Sequence, residues 1–532
     1  MKLLVIAFCT ALALALPPRP GLYDTDGRSV TTGDAAPVFP DWFGEPGPNK
    51  LKGYGYCETV TILMQFPDNP ADTVERSPAR FDSMLYSLDA YDQGPYRQGS
   101  LNDFFLENSY GDYDVRGGIA GGRWFTSQYD YSRYYDNNYL LSTGGQLARE
   151  NVQQVDQVVD FSQFDLDGDN HIDAMFMVHA GADGADNGDR NCCWSHAIPS
   201  FNYLTNDGVI IDGVTNVPEY AMVTPARETT MCCIAVMCHE LGHLVGLPDL
   251  YDGSRNSWGV GYWGLMGYGA WGAGGNTPWS PSHMEAWSKV EAGFVEPVVL
   301  THDTTDLRIL DIETNPVCYK AWRDGLDRDI CFYLENRQQK GFDSPIPGPG
   351  LLIWHIDRRM SSWHNRVDLE EDSTYHLDNG GGVRPDPHEY HPALGDTSDP
   401  LPGNWNRTVF DNWTVPDSRD NYGNPTNVGV RNVRQAGDTI ICDVTFGQVG
   451  IASPPAPRLR PALVAGPSPA RRSLRVTTSD TRADVLLCNP AGRVLRTVTP
   501  GGAGEFDLPL SGLPAGVYVI RQGATEAKFV RR

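Results

Sequence analysis

The stretch from Cys238 to Asp252 reads CHELGHLVGLPDLYD and holds His239, Glu240, His243 and Asp249 at short spacing. On a helix from Glu228 to Val245, residues four apart lie one above the other. His239 and His243 would then offer two imidazoles to one Zn²⁺, with Glu240 beside an open coordination position. Gly246 would end the helix, because glycine accepts the positive φ needed for a sharp reversal. Pro248 stiffens the turn and Asp249 returns as a third ligand, so the spacing is HExxHxxGxxD. The chemistry this arrangement suits is hydrolysis, with zinc activating a water and Glu240 as general base and then proton donor.

A second element follows in GYWGLMGYGAWG, where Met266 sits in a glycine-rich turn. The pair resembles the metzincin peptidases, which place a methionine turn beneath the metal after an elongated zinc motif. Tyr268 resembles the tyrosine that some of them hold there, and is a candidate donor to the oxyanion of the reaction. The blocks ILMQFPD, LNDFFLENSYGDYDV, VDFSQFDLDGDNHIDAMFMVHAG, PSHMEAWSKVEAGFV and YLENRQQKGFDSPIPGPGLLIWHID, with HELGHLVGLPDLYD, resemble the immune inhibitor A metalloproteases over about Cys57 to Gln448. That resemblance implies a secreted zinc endopeptidase of zincin-type fold acting on extracellular proteins, with Asp249 as third ligand. The alternative function is a calcium-stabilised surface binding protein or adhesin with a vestigial zinc site. Glu240 speaks against it, since a merely structural metal would not need that carboxylate.

The loop FDLDGDNHIDAM puts Asp165, Asp167, Asp169 and Asp173 at positions one, three, five and nine of a Ca²⁺-binding pattern. Asn170 stands where the usual loop has glycine and tolerates the left-handed conformation. Phe176 stands where the closing glutamate would be, so the EF-hand is incomplete. GADGADNGD, and LGDTSDPLPG with Asp396 and Asp399, are further acidic loops. His355 and Asp357 read as a hydrogen-bonded structural pair, and Cys238 as a small buried residue.

These residues belong to a chain of 532, long enough for several domains. Its hydrophobic content of 40%, with 13 Trp, 24 Tyr and 19 Phe, excludes a disordered protein. Residues 1–15 read as a signal peptide, with Lys2 ahead of an apolar run too short to span a membrane. Residues 16–56 read as a leader or pro-segment, and 57–297 as the catalytic domain, a mixed sheet with the active-site helix. Residues 298–448 read as a β-sandwich-like domain, and 449–460 as a Pro-rich linker. The fold class is therefore α+β and multidomain.

The net charge of −25 disfavours a nucleic-acid partner. From Pro457 onward, 12 Lys and Arg face 5 Asp and Glu, so the tail carries +7 and the rest −32. Residues 461–532 resemble the C-terminal sorting domain of the type IX secretion system, through GPSP, NPAGRV, LPAGVYV and KFVRR. That implies outer-membrane secretion machinery as a partner, and export to the medium or cell surface of a Gram-negative bacterium. In an exported chain, the ten cysteines after Cys9 suggest disulfides. Cys318 and Cys331, flanking a turn, are the most local pair. The doublets Cys192-Cys193 and Cys232-Cys233 could link to each other, and connectivity stays open.

Overall fold

The computed structural model describes residues 14–15, 17, 55–91, 99–222, 229–251, 258–272, 277, 279–326, 328, 330–360, 366–371, 394–447 and short stretches between 463 and 531. They divide into two compact units, Met1–Asn108 with Asp114–Gly447, and Ser109–Tyr113 with Gln448–Arg532.

The first unit is built on an eight-stranded mixed sheet. Its strands are β1 (Leu14–Ala15), β2 (Tyr56–Gln65), β3 (Asp114–Thr126), β4 (His171–Ala182), β5 (His196–Ile198), β6 (Tyr203–Leu204), β7 (Ile210–Met222) and β8 (Thr229–Met231). The order is β1-β5-β7-β4-β2-β3, with β6 and β8 also on β7. The pairs β2/β3, β2/β4 and β4/β7 are parallel, whereas β5, β6 and β8 run antiparallel to β7. Central strands of such a sheet are buried on both faces, and β2 is buried from Cys57 to Met64.

Side chains alternate along a strand, so Val60, Ile62 and Met64 of β2 share one face. They join Met175 and Met177 of β4 in one core with Leu147, Ala148, Val152 and Val155 from a helix at Gly144–Val155. The zinc-motif helix, Ile234–Val245, is buried at every position but Leu244, as a helix in the middle of a core should be. It starts later than its periodicity suggests. Thr229 and Thr230 are β-branched and find ladder partners on β7 instead, with Tyr220 opposite Met231; Glu228 lies outside the described residues.

Leu14 and Ala15, inside the expected signal peptide, pair with β5. Pro17 accepts a hydrogen bond from Trp271 Nε1 at 2.9 Å. The remaining leader up to Tyr54, and the expected linker 449–460, lie outside the described residues.

The β-rich region after Glu296 forms a five-stranded and a four-stranded sheet. Phe332 of one meets Phe410 of the other, ring centroids 5.4 Å apart and edge-on. This region and the one built on the eight-stranded sheet belong to one compact unit. A buried ionic cluster joins them. Arg337 is fully buried, with its guanidinium 2.6 Å from Asp343, 3.4 Å from Glu335 and 3.5 Å from Glu313. It also donates to the Trp263 carbonyl beside the zinc motif's methionine turn, at 2.8 Å. Asp343 accepts from the His283 N–H at 2.8 Å, and Glu107 receives both His283 Nε2 and the Phe342 N–H. Burial pushes Glu335 up to about 7.

The second unit holds two small sheets with one core, to which Leu474, Val476 and Leu508 contribute from one sheet and Val485, Leu487, Tyr518 and Ile520 from the other. That is a small β-sandwich.

The disulfide expectation meets a correction. Among the described residues, the ten cysteines after Cys9 form no disulfide, and nine of them are buried. The hairpin register sets Tyr319 opposite Leu334 and Ala321 opposite Phe332. Cys318 and Cys331 therefore sit about four residues apart along the ladder, roughly 13 Å, well beyond the reach of a disulfide.

Replacing Arg337 by Met should cost roughly 3–5 kcal/mol, because three carboxylates would lose their buried countercharge. Chemical denaturation followed by tryptophan fluorescence would measure it; a loss within error of zero would mean the cluster does not hold the two regions together.

Candidate metal centre

The zinc-motif helix begins after Cys233 and ends at Gly246, whose φ of 102° is the left-handed cap expected of it. The Leu247 N–H returns to the Gly242 carbonyl at 3.0 Å, closing the helix end and turning the chain back. Pro248 and Asp249 follow, and the Leu250 N–H bonds the Met266 carbonyl at 2.9 Å, tying this loop to the methionine turn.

Three ligand atoms converge as a result. Asp249 Oδ1 lies 3.2 Å from His239 Nε2 and 3.3 Å from His243 Nε2. The second nitrogen of each ring is taken: His239 Nδ1 bonds the Leu265 carbonyl and His243 Nδ1 the Leu247 carbonyl, each at 2.9 Å. A carbonyl can only accept, so Nδ1 carries the proton and Nε2 presents a lone pair. Two lone pairs and a carboxylate oxygen facing one another repel unless a cation or a shared proton lies among them. Burial lowers the pKa of His239 and favours the neutral, metal-binding form. The donor set of two imidazole nitrogens and one carboxylate oxygen fits zinc with a fourth position left for a reactant.

Met266 lies directly beneath this helix. A Cβ built on Gly242 would stand 2.6 Å from Met266 Sδ, so the glycine between the histidines is what lets the turn approach. Leu265, next to Met266, is the residue whose carbonyl orients His239. Glu240 is fully buried beside His239. Tyr268 is also fully buried, its ring edge-on to Trp258 at 5.3 Å and to Tyr251 at 5.9 Å. Tyr251 is two residues past Asp249, so Tyr268 packs over the ligand loop.

The acidic loop is arranged otherwise than its spacing suggests. Asp165 and Asp167 come together with Glu58, one oxygen of each within 4.8 Å of the others. Asp169 instead accepts the His171 N–H at 2.8 Å, and Asp173 the Glu58 N–H at 2.8 Å. Burial pushes Glu58 up to about 7 and Asp173 to about 6. Asn170 does adopt the left-handed conformation, at φ 67°.

The other candidates are hydrogen-bonded loops. Asp183 receives Ser195 Oγ at 2.6 Å, and Asp399 receives Trp263 Nε1 at 2.9 Å and the Asp396 N–H at 2.8 Å. His355 and Asp357 do not pair with each other: His355 Nδ1 meets Glu370 at 3.1 Å, and Asp357 holds Arg359 at 2.7 Å.

Residues 59–294 match the family model of the immune inhibitor A peptidase M6 catalytic domain. The chain is 26% identical over 257 residues to the pre-pro-metalloprotease PrtV of Vibrio cholerae serotype O1, covering 39% of this chain and 27% of that protein. It is 25% identical over 248 residues to immune inhibitor A of Bacillus thuringiensis subsp. alesti, covering 38% and 35%. The aligned part thus spans about a third or less of these curated relatives. The match and the relatives support a metalloendopeptidase, a hydrolase of peptide bonds that works with a catalytic metal. No helix among the described residues is long and apolar enough to cross a membrane.

Gly242→Ala would force Met266 to move, so a loss of about 1–3 kcal/mol is expected. The double variant Gly242→Ala with Met266→Ala should recover part of it. Thermal denaturation of the pair would decide; equal losses would separate Met266 from the helix.

Proposed function

We propose that this chain is an exported zinc endopeptidase that hydrolyses extracellular proteins, with His239, His243 and Asp249 as zinc ligands and Glu240 as general base. The convergence of two Nε2 lone pairs on Asp249 Oδ1, each ring fixed by a carbonyl at its other nitrogen, is the observation that carries this reading. When bound, zinc supplies Lewis acidity to the scissile carbonyl and draws the pKa of water toward neutrality. The Leu265 and Leu247 carbonyls hold the imidazoles in the tautomer that leaves Nε2 free to ligate. Glu240 receives a proton on its carboxylate from the attacking water and returns it to the departing amine. Tyr268 offers a hydroxyl to the oxyanion, and Met266 supports the helix from below.

Export is assigned to residues 1–15 as a signal peptide and to 461–532 as a sorting domain recognised by the outer-membrane secretion machinery. A β-sandwich of its own core and opposite charge supports a separable module.

Glu240→Ala should lower casein cleavage by about 10²–10⁴-fold while zinc content by metal analysis stays near one per chain. Asp249→Ala should lose zinc and activity together; zinc retained at full occupancy would remove Asp249 from the ligand set. Deleting residues after Pro455 should stop export and spare cleavage by the purified protein. Normal appearance of the truncated chain in the medium would sink the sorting assignment.

A further inference from the structure

Glu58 is the third residue of β2, yet is only 3% exposed, an unusual setting for a glutamate. Its Oε2 accepts the Leu166 N–H at 2.8 Å, while Oε1 is buried and meets no hydrogen-bond partner. The Leu166 amide belongs to the acidic loop, between Asp165 and Asp167, and the carboxylates of all three residues come within 4.8 Å of one another. Among the described residues, no Lys, Arg or His pairs with any of the three. Like charges at this separation repel, and Glu58 cannot swing into water to escape.

The loop is otherwise finished. Asp165 Oδ1 accepts the Gly168 and Asp169 N–H groups at 2.9 and 3.1 Å, and its Oδ2 accepts the Asn170 N–H at 3.1 Å. Tyr56 donates its hydroxyl to Asp167 Oδ2 at 2.9 Å. Asp165 Oδ2 and Asp167 Oδ2 each keep a second lone pair beyond these bonds, whereas Asp165 Oδ1 spends both. What the described residues of the site lack is positive charge. We propose that Glu58, Asp165 and Asp167 hold a calcium ion that clamps the start of β2 to the loop feeding β4.

The donors are all hard oxygens, which select Ca²⁺ over zinc, whereas the histidine-bearing centre selects the reverse. Asp167 is exposed, so water completes the coordination. The clamp fits the sheet: β2 and β4 are parallel neighbours with Thr59 opposite Ala174, so the residue before Thr59 lies beside the loop entering β4. Asp173, which takes the Glu58 N–H, positions that strand end and is not a ligand; Asp169 stands outside the group of converging oxygens. The site is separate from the zinc centre, and its failure would leave the peptidase reading untouched.

The test compares the full chain with Glu58→Gln and Asp169→Asn, all purified with zinc in place. Bound Ca²⁺ per chain is counted by equilibrium dialysis, and thermal stability is followed while free Ca²⁺ is varied. Glu58→Gln should bind one Ca²⁺ fewer, or bind it roughly tenfold or more weakly, and should lose the calcium-dependent rise in melting temperature. Asp169→Asn should keep both. Unchanged zinc content and casein cleavage in Glu58→Gln would show that the variant is folded. Wild-type calcium binding by Glu58→Gln would overturn the assignment, as would equal losses in both variants, which is the result of ligation by the loop alone. If Glu58→Gln fails to fold, Asp167→Asn, at an exposed position, takes its place with the same expected loss of one Ca²⁺.

Discussion

The structure around His239 and His243 depends on two hydrogen bonds made by the ring nitrogens that face away from Asp249. The carbonyls of Leu265 and Leu247 each claim one imidazole nitrogen, and so decide which nitrogen His239 and His243 turn toward Asp249. Those carbonyls come from different segments. One is offered by the methionine turn below the helix, the other by the reversal at its end. The helix cap at Gly246, the bare Cα of Gly242 and the placement of Met266 all serve this orientation. The motif is therefore less a set of ligands than a helix end and a turn folded against each other.

Much of this was legible because it is local. HExxHxxGxxD carries its own geometry: helical periodicity aligns His239 with His243, and glycine permits the return to Asp249. The left-handed Asn170 was legible for the same reason. The helix start was not, since Thr229 and Thr230 answer to a strand that only the tertiary fold brings alongside.

The acidic loop shows where local spacing stops being sufficient. Four aspartates at alternating positions suggest four ligands, but the fold brings only two of them together. Asp165 and Asp167 converge with Glu58, more than a hundred residues upstream, while Asp169 and Asp173 stand outside that group. No periodicity in the chain points to Glu58; only the parallel pairing of β2 with β4 does. The cysteines fail in the same way. Sequence proximity made Cys318 and Cys331 a pair, and strand register sets them apart.

Arg337 bears on where this protein can be cut. The region that matches the peptidase family ends at 294, ahead of Glu313, Glu335, Arg337 and Asp343. A fragment stopped there would keep His283 and the Trp263 carbonyl and lose the groups that satisfy them. Lys289, which reaches the Asn108 carbonyl from inside the cluster, would face solvent on a surface shaped for burial. The smallest autonomous piece of this protein accordingly extends to about Gly447, and homology bounds alone would mark out a fragment that lacks half of its own keystone.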